Sequence, residues 1–366
     1  MNEHRNGYES GHGHSHGYGT SHGSHHHRHR HHHRHRRQKR IAIFVSTLLV
    51  VVVACLVTFF VVQKLENQKT YHVSGSNSID VGAGYCYTEY NGKKYQYNNR
   101  VTTLLYAGLD STDELKATAS YGDKTRADSI MLVVLDEASK RMSVVAINRD
   151  TMTEVHRFSR TGDDLGTYVT HLGFAYSNGD GGEASCENLE TAVSDLLGGL
   201  PIHNYIVTNQ TSISKINDLV GGVTVPNDDL AAKFPELTAG SVVTLDDSNV
   251  RSYVQYRDTS VDFSNEGRIE RQKSFVLPFM DEFGALLKED TSGMWDKLET
   301  LKEWMQTDIT KNRYLSLADA FSNTSLTSDS YYVLEGEDAL GELHDEFYYD
   351  ADALQKLIIK LFYREV

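Results

Sequence analysis

The chain has 366 residues, of which 39% are hydrophobic and 23% charged, with a formal net charge of -14. That is enough for one or two domains with a full core. The charge is divided, because residues 1–40 carry eight Arg and Lys against two Glu, net +6, which leaves the rest at -20. A body this acidic lacks the basic footprint that phosphate-backbone binding requires, so nucleic acid is excluded as a partner.

Residues 1–40 are Gly, Ser, Arg and 13 of the 18 His, with almost nothing apolar to bury, and are expected to be a disordered basic tail on the cytoplasmic side. Its His runs at 25–27 and 31–33 are also of a kind that binds transition metals. Residues 41–62, IAIFVSTLLVVVVACLVTFFVV, are 22 consecutive uncharged residues, matching the roughly 20 of a membrane-spanning helix. The basic cluster HRHRRQKR at 33–40 precedes this span directly. Positive flanks stay cytoplasmic, which places everything after residue 62 outside the cell. Cys55 falls in the span, leaving Cys86 and Cys186 as the two thiols an oxidising exterior would join in a disulfide.

Residues 63–99 read as an extracellular stalk leading into a hairpin, with an NGK turn at 91–93 between YTEY and YQYN. Three apolar runs follow, VTTLLYAGL (101–109), SIMLVVLDE (129–137) and MSVVAIN (142–148), of the kind buried on both faces of a sheet. The turn EASKR makes the second and third of them hairpin neighbours. Helical periodicity marks 186–199 and 211–222, separated by a strand at 203–209 and followed by one at 223–227. Helices are predicted over 245–258 and 266–287. Residues 288–366 read as a helical extension packed on or near the body, with helices in SGMWDKLETLKEWMQ, RYLSLADAF and ADALQKLIIKLF around a strand at 330–336. The fold class is α/β with a mainly buried sheet, and the catalytic body is placed at 100–287.

Charged residues collect at the ends of these elements. Asp110 closes the first strand, Arg126 and Asp128 open the second, and Arg149 and Asp150 end the third. Arg257 ends one helix, while Arg268, Arg271 and Gln272 share one turn of the next at i, i+3 and i+4. Taken singly, each has an ordinary structural use as a turn carboxylate or a solvated helix face. Together, guanidinium forks that bind phosphate bidentately and carboxylates that share a divalent cation with it describe a pyrophosphate pocket.

The ordered series TLLYAGLDS, RADSIMLVVLD, MSVVAINRDT, KINDLVGGVTV, YVQYRD and GRIERQ resembles the LytR-CpsA-Psr family of bacterial cell-wall enzymes over residues 100–285. The resemblance implies a three-layer α-β-α sandwich with a central mixed sheet, preceded by a single transmembrane helix. It also implies a phosphotransferase that moves an anionic glycopolymer, such as teichoic acid or capsular polysaccharide, from a polyprenyl-pyrophosphate carrier to peptidoglycan, with a possible pyrophosphatase side activity. Carried over residue by residue, Asp110 and Asp128 would hold Mg²⁺ or Mn²⁺. Arg126, Arg149, Arg257, Arg268, Arg271 and Gln272 would bind the pyrophosphate. Arg149 and Asp150 would be catalytic, Asp150 as the candidate base. A tunnel for the lipid would draw on Phe174, Leu189, Val193 and Phe275, although plain core is the more ordinary use of such residues. The chain departs from the family pattern at Gln255, where Arg is usual, at HLGFAY (171–176), and before GRIERQ, where Asp262 or Glu266 would substitute for an acid. The competing reading is a membrane-anchored protein that binds lipid-linked polymers without turning them over.

Overall fold

The structure, a computed structural model of the chain, describes residues 87–122, 125–227, 241–257, 265–342 and 344–366. The predicted tail, the predicted span at 41–62, most of the stalk and Cys86 lie outside the described residues. Among the described residues no helix is long and apolar enough to cross a membrane.

The first described element is the predicted hairpin, β1 (Tyr87–Tyr90) and β2 (Lys93–Tyr97). Its two-residue loop holds Asn91 at φ 50° and Gly92 at φ 73°, the doubly left-handed turn whose twist suits a hairpin. The apolar runs become β3 (Val101–Leu109), β4 (Ala127–Asp136) and β5 (Arg141–Ile147). They join β8 (Asn204–Thr208), β11 (Met305–Thr307) and β12 (Ser325–Val333) in one six-stranded sheet of order β11-β8-β3-β4-β5-β12. The sheet is mixed. Strand β3 is antiparallel to β4 and parallel to β8, while β12 is parallel to β5.

The continuous apolar runs are explained by burial on both faces. From β4, Ile130, Leu132 and Val134 enter one core while Met131, Val133 and Leu135 enter the other. The first core is covered by α1 (Glu183–Leu196), through Leu189, Val193 and Leu196, and by α7 (Ala351–Phe362), through Leu354, Ile358 and Phe362. The second is covered by α4 (Asn265–Glu289), α5 (Thr291–Glu299) and α6 (Lys311–Asn323), with Ile269, Met294, Leu317 and Phe321 among its buried residues. Helix α2 (Ser212–Leu219), the pair β9 (Thr224–Asn227) and β10 (Ser241–Thr244), and α3 (Val250–Gln255) gather a smaller third core around Val223, Val225, Leu245 and Tyr253.

Some elements differ from expectation. The helix predicted over 245–258 shortens to α3, because Asp246 accepts from the Ser248 amide and hydroxyl and holds its first residues in a turn. The helix predicted through 306 stops at Glu299, and residues 305–307 instead satisfy their backbone against β8. Two hairpins escaped the sequence reading, β6 (Met152–Phe158) with β7 (Asp164–His171), and β13 (Gly336–Leu340) with β14 (Asp345–Tyr349). The segment after 288 supplies both outer strands of the sheet, and β15 (Tyr363–Glu365) pairs with β2.

Cys186 is a free, fully buried thiol that donates to Gln306 Oε1 at 3.2 Å. Nearby on α1, burial together with the charges of Asp308 and Glu187 pushes the Glu190 carboxyl up to about 7. A folded-state value above the unfolded one means the folded chain holds this proton more tightly. The associated stability is present at acid pH and lost as pH rises through 7. Glu190→Gln is therefore expected to raise the melting temperature at pH 8 and to leave it nearly unchanged at pH 4, below the range where the unfolded carboxyl ionises. Equal shifts at the two pH values would contradict the assignment.

Candidate functional site

The charged residues meet where β3 ends and β4 begins. Here the ladder slips: Gly108 pairs with Ser129 but Leu109 pairs with Ala127, so Asp128 has no partner on β3. Such a bulge re-aims side chains. Ala127 and Ile130 both enter the first core, while Asp128 and Ser129 both line a cleft of the opposite face, beneath α4. Two successive side chains thereby reach one helix. Arg268 donates to the Asp128 carbonyl at 3.1 Å and lies 3.7 Å from its carboxylate, and Ser129 Oγ donates to Gln272 Oε1 at 3.3 Å.

Arg149 sits between two carboxylates. Its terminal nitrogen donates to Asp128 Oδ1, its Nε lies 3.4 Å from Asp150 Oδ1, and that buried Nε makes no hydrogen bond. Burial works against the charge, but Asp128, Asp150 and Asp110 outweigh it and hold the guanidinium above its ordinary value. Arg268 is 6% exposed and goes the other way. Burial and the neighbouring Arg149 lower it to about 10, against the pull of Asp128.

An amide pair ties these groups together. Asn265 Oδ1 accepts from Arg268 Nε at 3.0 Å and from its terminal nitrogen at 2.7 Å, while Asn265 Nδ2 donates to Asn148 Oδ1 at 2.7 Å. Asn148 Oδ1 also accepts from the Asp150 amide at 3.0 Å. Both Asn are buried. On the other side Gly173 donates to the Arg149 carbonyl at 2.8 Å, and a Cβ there would lie 2.8 Å from the Ala127 carbonyl. HLGFAY thus contributes a close backbone approach that fixes the strand end.

The other predicted residues are placed as follows. Asp110 Oδ1 accepts from the Arg126 amide at 2.7 Å, and its carboxyl is raised, first by burial and then by the charge of Asp128. The Arg126 guanidinium lies 4.6 Å above the Phe174 ring. Arg257 pairs with Asp345 at 2.7 Å. Arg271 turns away from the cluster, donating to the carbonyls of Tyr253 and Tyr256, where it caps the end of α3. Gln272 Nε2 donates to the Val254 carbonyl at 3.3 Å. Asn148, Asn265, Gly173 and Asp345 were not singled out from sequence. Asn148 alone carried a signal, as the polar residue that ends the MSVVAIN run.

Asp110 and Asp128 are the carboxylates that could hold a cation. Their oxygen-only donor set and mutual repulsion suit a hard dication. Among the described residues no group of three or more acidic, His or Cys side chains could hold a metal by itself, so substrate oxygens would have to complete the coordination.

Asp128, Arg268 and Gln272 line an otherwise largely apolar cavity of about 230 Å³, which runs under α4 between Leu104, Ile206, Phe279 and Phe283. A second cavity of about 520 Å³ shares Leu104, Ile206, Phe283, Leu298, Met305 and Phe321 with it and opens beside Trp295. Of the residues suggested for a tunnel only Phe275 lines the first cavity. Leu189 and Val193 lie in the core on the other face of the sheet, and Phe174 stacks beneath Arg126.

Fold and site define an α/β protein with a mixed sheet, one end of which gathers guanidinium and carboxylate groups beside an apolar cavity. The chain belongs to the LytR_cpsA_psr family, whose model matches residues 60–360. Among curated relatives, the "Polyisoprenyl-teichoic acid--peptidoglycan teichoic acid transferase TagU" of Bacillus mycoides is 27% identical over 233 residues, covering 63% of this chain and 68% of its own. TagV of Bacillus subtilis, named as the same kind of transferase, is 24% identical over 264 residues, covering 69% of this chain and 61% of its own. The crystal structure of B. subtilis TagV superposes with a TM-score of 0.54 at 21% identity, covering 72% of this chain and 96% of that one. The structure described as TagT bound to LI-WTA gives a TM-score of 0.54 at 16% identity, with 72% and 90% covered. These structural likenesses support the mixed-sheet fold.

Proposed function

We propose that this chain is a membrane-anchored extracellular phosphotransferase. It would move an anionic glycopolymer from a polyprenyl-pyrophosphate carrier to a hydroxyl of peptidoglycan. The observation that carries the reading is the junction of the Arg149–Asp128–Arg268 cluster with an apolar cavity, since a prenyl pyrophosphate joins those same two chemistries in one molecule. The relatives named as polyisoprenyl-teichoic acid transferases support it, and the apolar run at 41–62 with its basic flank supports the anchor and its orientation.

In this reading the prenyl tail lies under α4, and Arg149 and Arg268 face the pyrophosphate, with Arg257 and Arg126 completing the cationic wall. The acceptor hydroxyl attacks the phosphorus that carries the glycopolymer, the bond from that phosphorus to the bridging oxygen breaks, and polyprenyl phosphate leaves. The guanidiniums stabilise charge that grows on the phosphoryl oxygens and the leaving phosphate. Asp150, which is held against Arg149, takes the hydroxyl proton in this reading. A Mg²⁺ or Mn²⁺ ion held by Asp110 and Asp128 would supply further neutralisation of the pyrophosphate.

The test is transfer of a labelled glycopolymer from its polyprenyl-pyrophosphate carrier to peptidoglycan by the full-length protein in detergent. Labelled peptidoglycan should form and should be lost on chelation with EDTA and regained with Mg²⁺. Tight binding of the carrier with no labelled product would favour the non-catalytic alternative. Turnover unaffected by EDTA would remove the metal from the proposal.

A further inference from the structure

The β13–β14 hairpin reaches the charged sheet end from a part of the chain far from the other site residues. Its backbone is tied there twice. The Phe347 amide donates to the Asp150 carbonyl at 2.8 Å, beside a parallel bridge between Thr151 and Phe347, and His171 Nε2 donates to the Asp345 carbonyl at 3.0 Å. Both ties fall on residues that border the site, since Asp150 adjoins Arg149 and His171 precedes Gly173 by two positions. Held in this frame, Asp345 directs its carboxylate at Arg257, with 2.7 Å between Oδ2 and the guanidinium, and both side chains are about one-fifth exposed.

Arg257 gains order from such a partner. It lies two residues beyond the end of α3, so no helical turn fixes it, and its charge opposes that of Arg268. A long side chain that is already ordered loses less entropy when it grips an anion. A guanidinium has five donors, so the Asp345 carboxylate by itself does not exhaust its capacity for a phosphate.

We propose that Asp345 is a positioning residue: it holds Arg257 in the orientation from which the guanidinium binds the substrate pyrophosphate, which makes the C-terminal hairpin part of the phosphate site. The proposal rests on the phosphotransferase reading above.

A double-mutant cycle on the full-length protein in detergent tests it, with farnesyl pyrophosphate as the probe. Water attacks the terminal phosphorus, the bond to the bridging oxygen breaks, and farnesyl phosphate and inorganic phosphate are released. Asp345→Ala and Arg257→Ala are each expected to raise KM about tenfold, with a smaller effect on kcat, and the double variant to be no worse than Arg257→Ala alone. Asp345→Asn, which keeps the shape without the charge, should fall between wild type and Asp345→Ala. An unchanged or lower KM in Asp345→Ala, or effects that add in the double variant, would overturn the proposal, the lower value meaning that Asp345 competes with substrate for Arg257. A wild type without turnover would instead count against the phosphotransferase reading. The same cycle read in the Kd of farnesyl pyrophosphate by calorimetry would still decide the role of Asp345.

Discussion

Arg149→Ala is expected to lower kcat for glycopolymer transfer by about 10²- to 10³-fold, the size of effect seen when one preorganised donor is removed from a site where charge develops. Among the described residues the guanidinium is the one group ion-paired with both Asp128 and Asp150, so its loss would remove the proposed phosphate clamp and leave two carboxylates facing the proposed substrate's own negative charge. Arg149→Lys should recover only a small part of the rate, because an ammonium keeps the charge but not the fork that engages two oxygens. Asp128→Ala should match the alanine variant of Arg149 in activity, since it leaves Arg149 and the buried Arg268 to repel one another. The measurement is initial transfer rate with saturating carrier, alongside a melting curve for each protein. Turnover unchanged in both Arg149→Ala and Asp128→Ala would remove the site from the argument.

Asn265→Ala is expected to cost about 3 kcal/mol of stability, because hydrogen bonds to a buried charged group are worth more than neutral ones and their loss strands that charge. Asn265 satisfies two nitrogens of a guanidinium that is 6% exposed, and its own amide donates to Asn148. The change also unties Asn148 from α4, and Asn148 in turn holds the Asp150 amide. Activity should therefore fall with stability. Asn265→Asp separates the two ties, since a carboxylate still accepts from Arg268 but cannot donate to Asn148. It should be intermediate in denaturant midpoint. An unfolding free energy for Asn265→Ala within a few tenths of a kcal/mol of wild type would show that water replaces the amide and that the network is not a determinant of the site.

The strands were legible because a strand buried on both faces is apolar along its centre, and β3, β4 and β5 carry unbroken apolar runs over 104–109, 130–135 and 144–147. The helices with a long apolar face, α1, α4 and α7, were legible for the corresponding reason of period. The hairpins β6–β7 and β13–β14 were not, since β6 and β13 are strands of half-buried and exposed residues whose mixed, mostly polar sequences make no periodic pattern. Among site residues, Asp128, Arg149 and Arg268 could be named from their places at element ends. Arg271 shared their spacing, yet it spends its donors on the carbonyls at the end of α3. Spacing says which residues share a helix face, not which neighbour each will meet.

The sequence by itself determined the class of fold, the three core strands with the second and third as hairpin neighbours, and the gathering of Arg and Asp at their ends, because burial on both faces and helical period are written locally along the chain. Only the tertiary structure decided how that charge is arranged. The bulge that turns Asp128 beside Ser129 depends on the register between β3 and β4, and the ties from Asn265 and Asp345 reach residues 117 and 88 positions away. The same holds for the segment after 288, whose strands close both sides of the sheet. Register and long-range contact are settled by which surfaces bury one another, and no local window of sequence contains both partners.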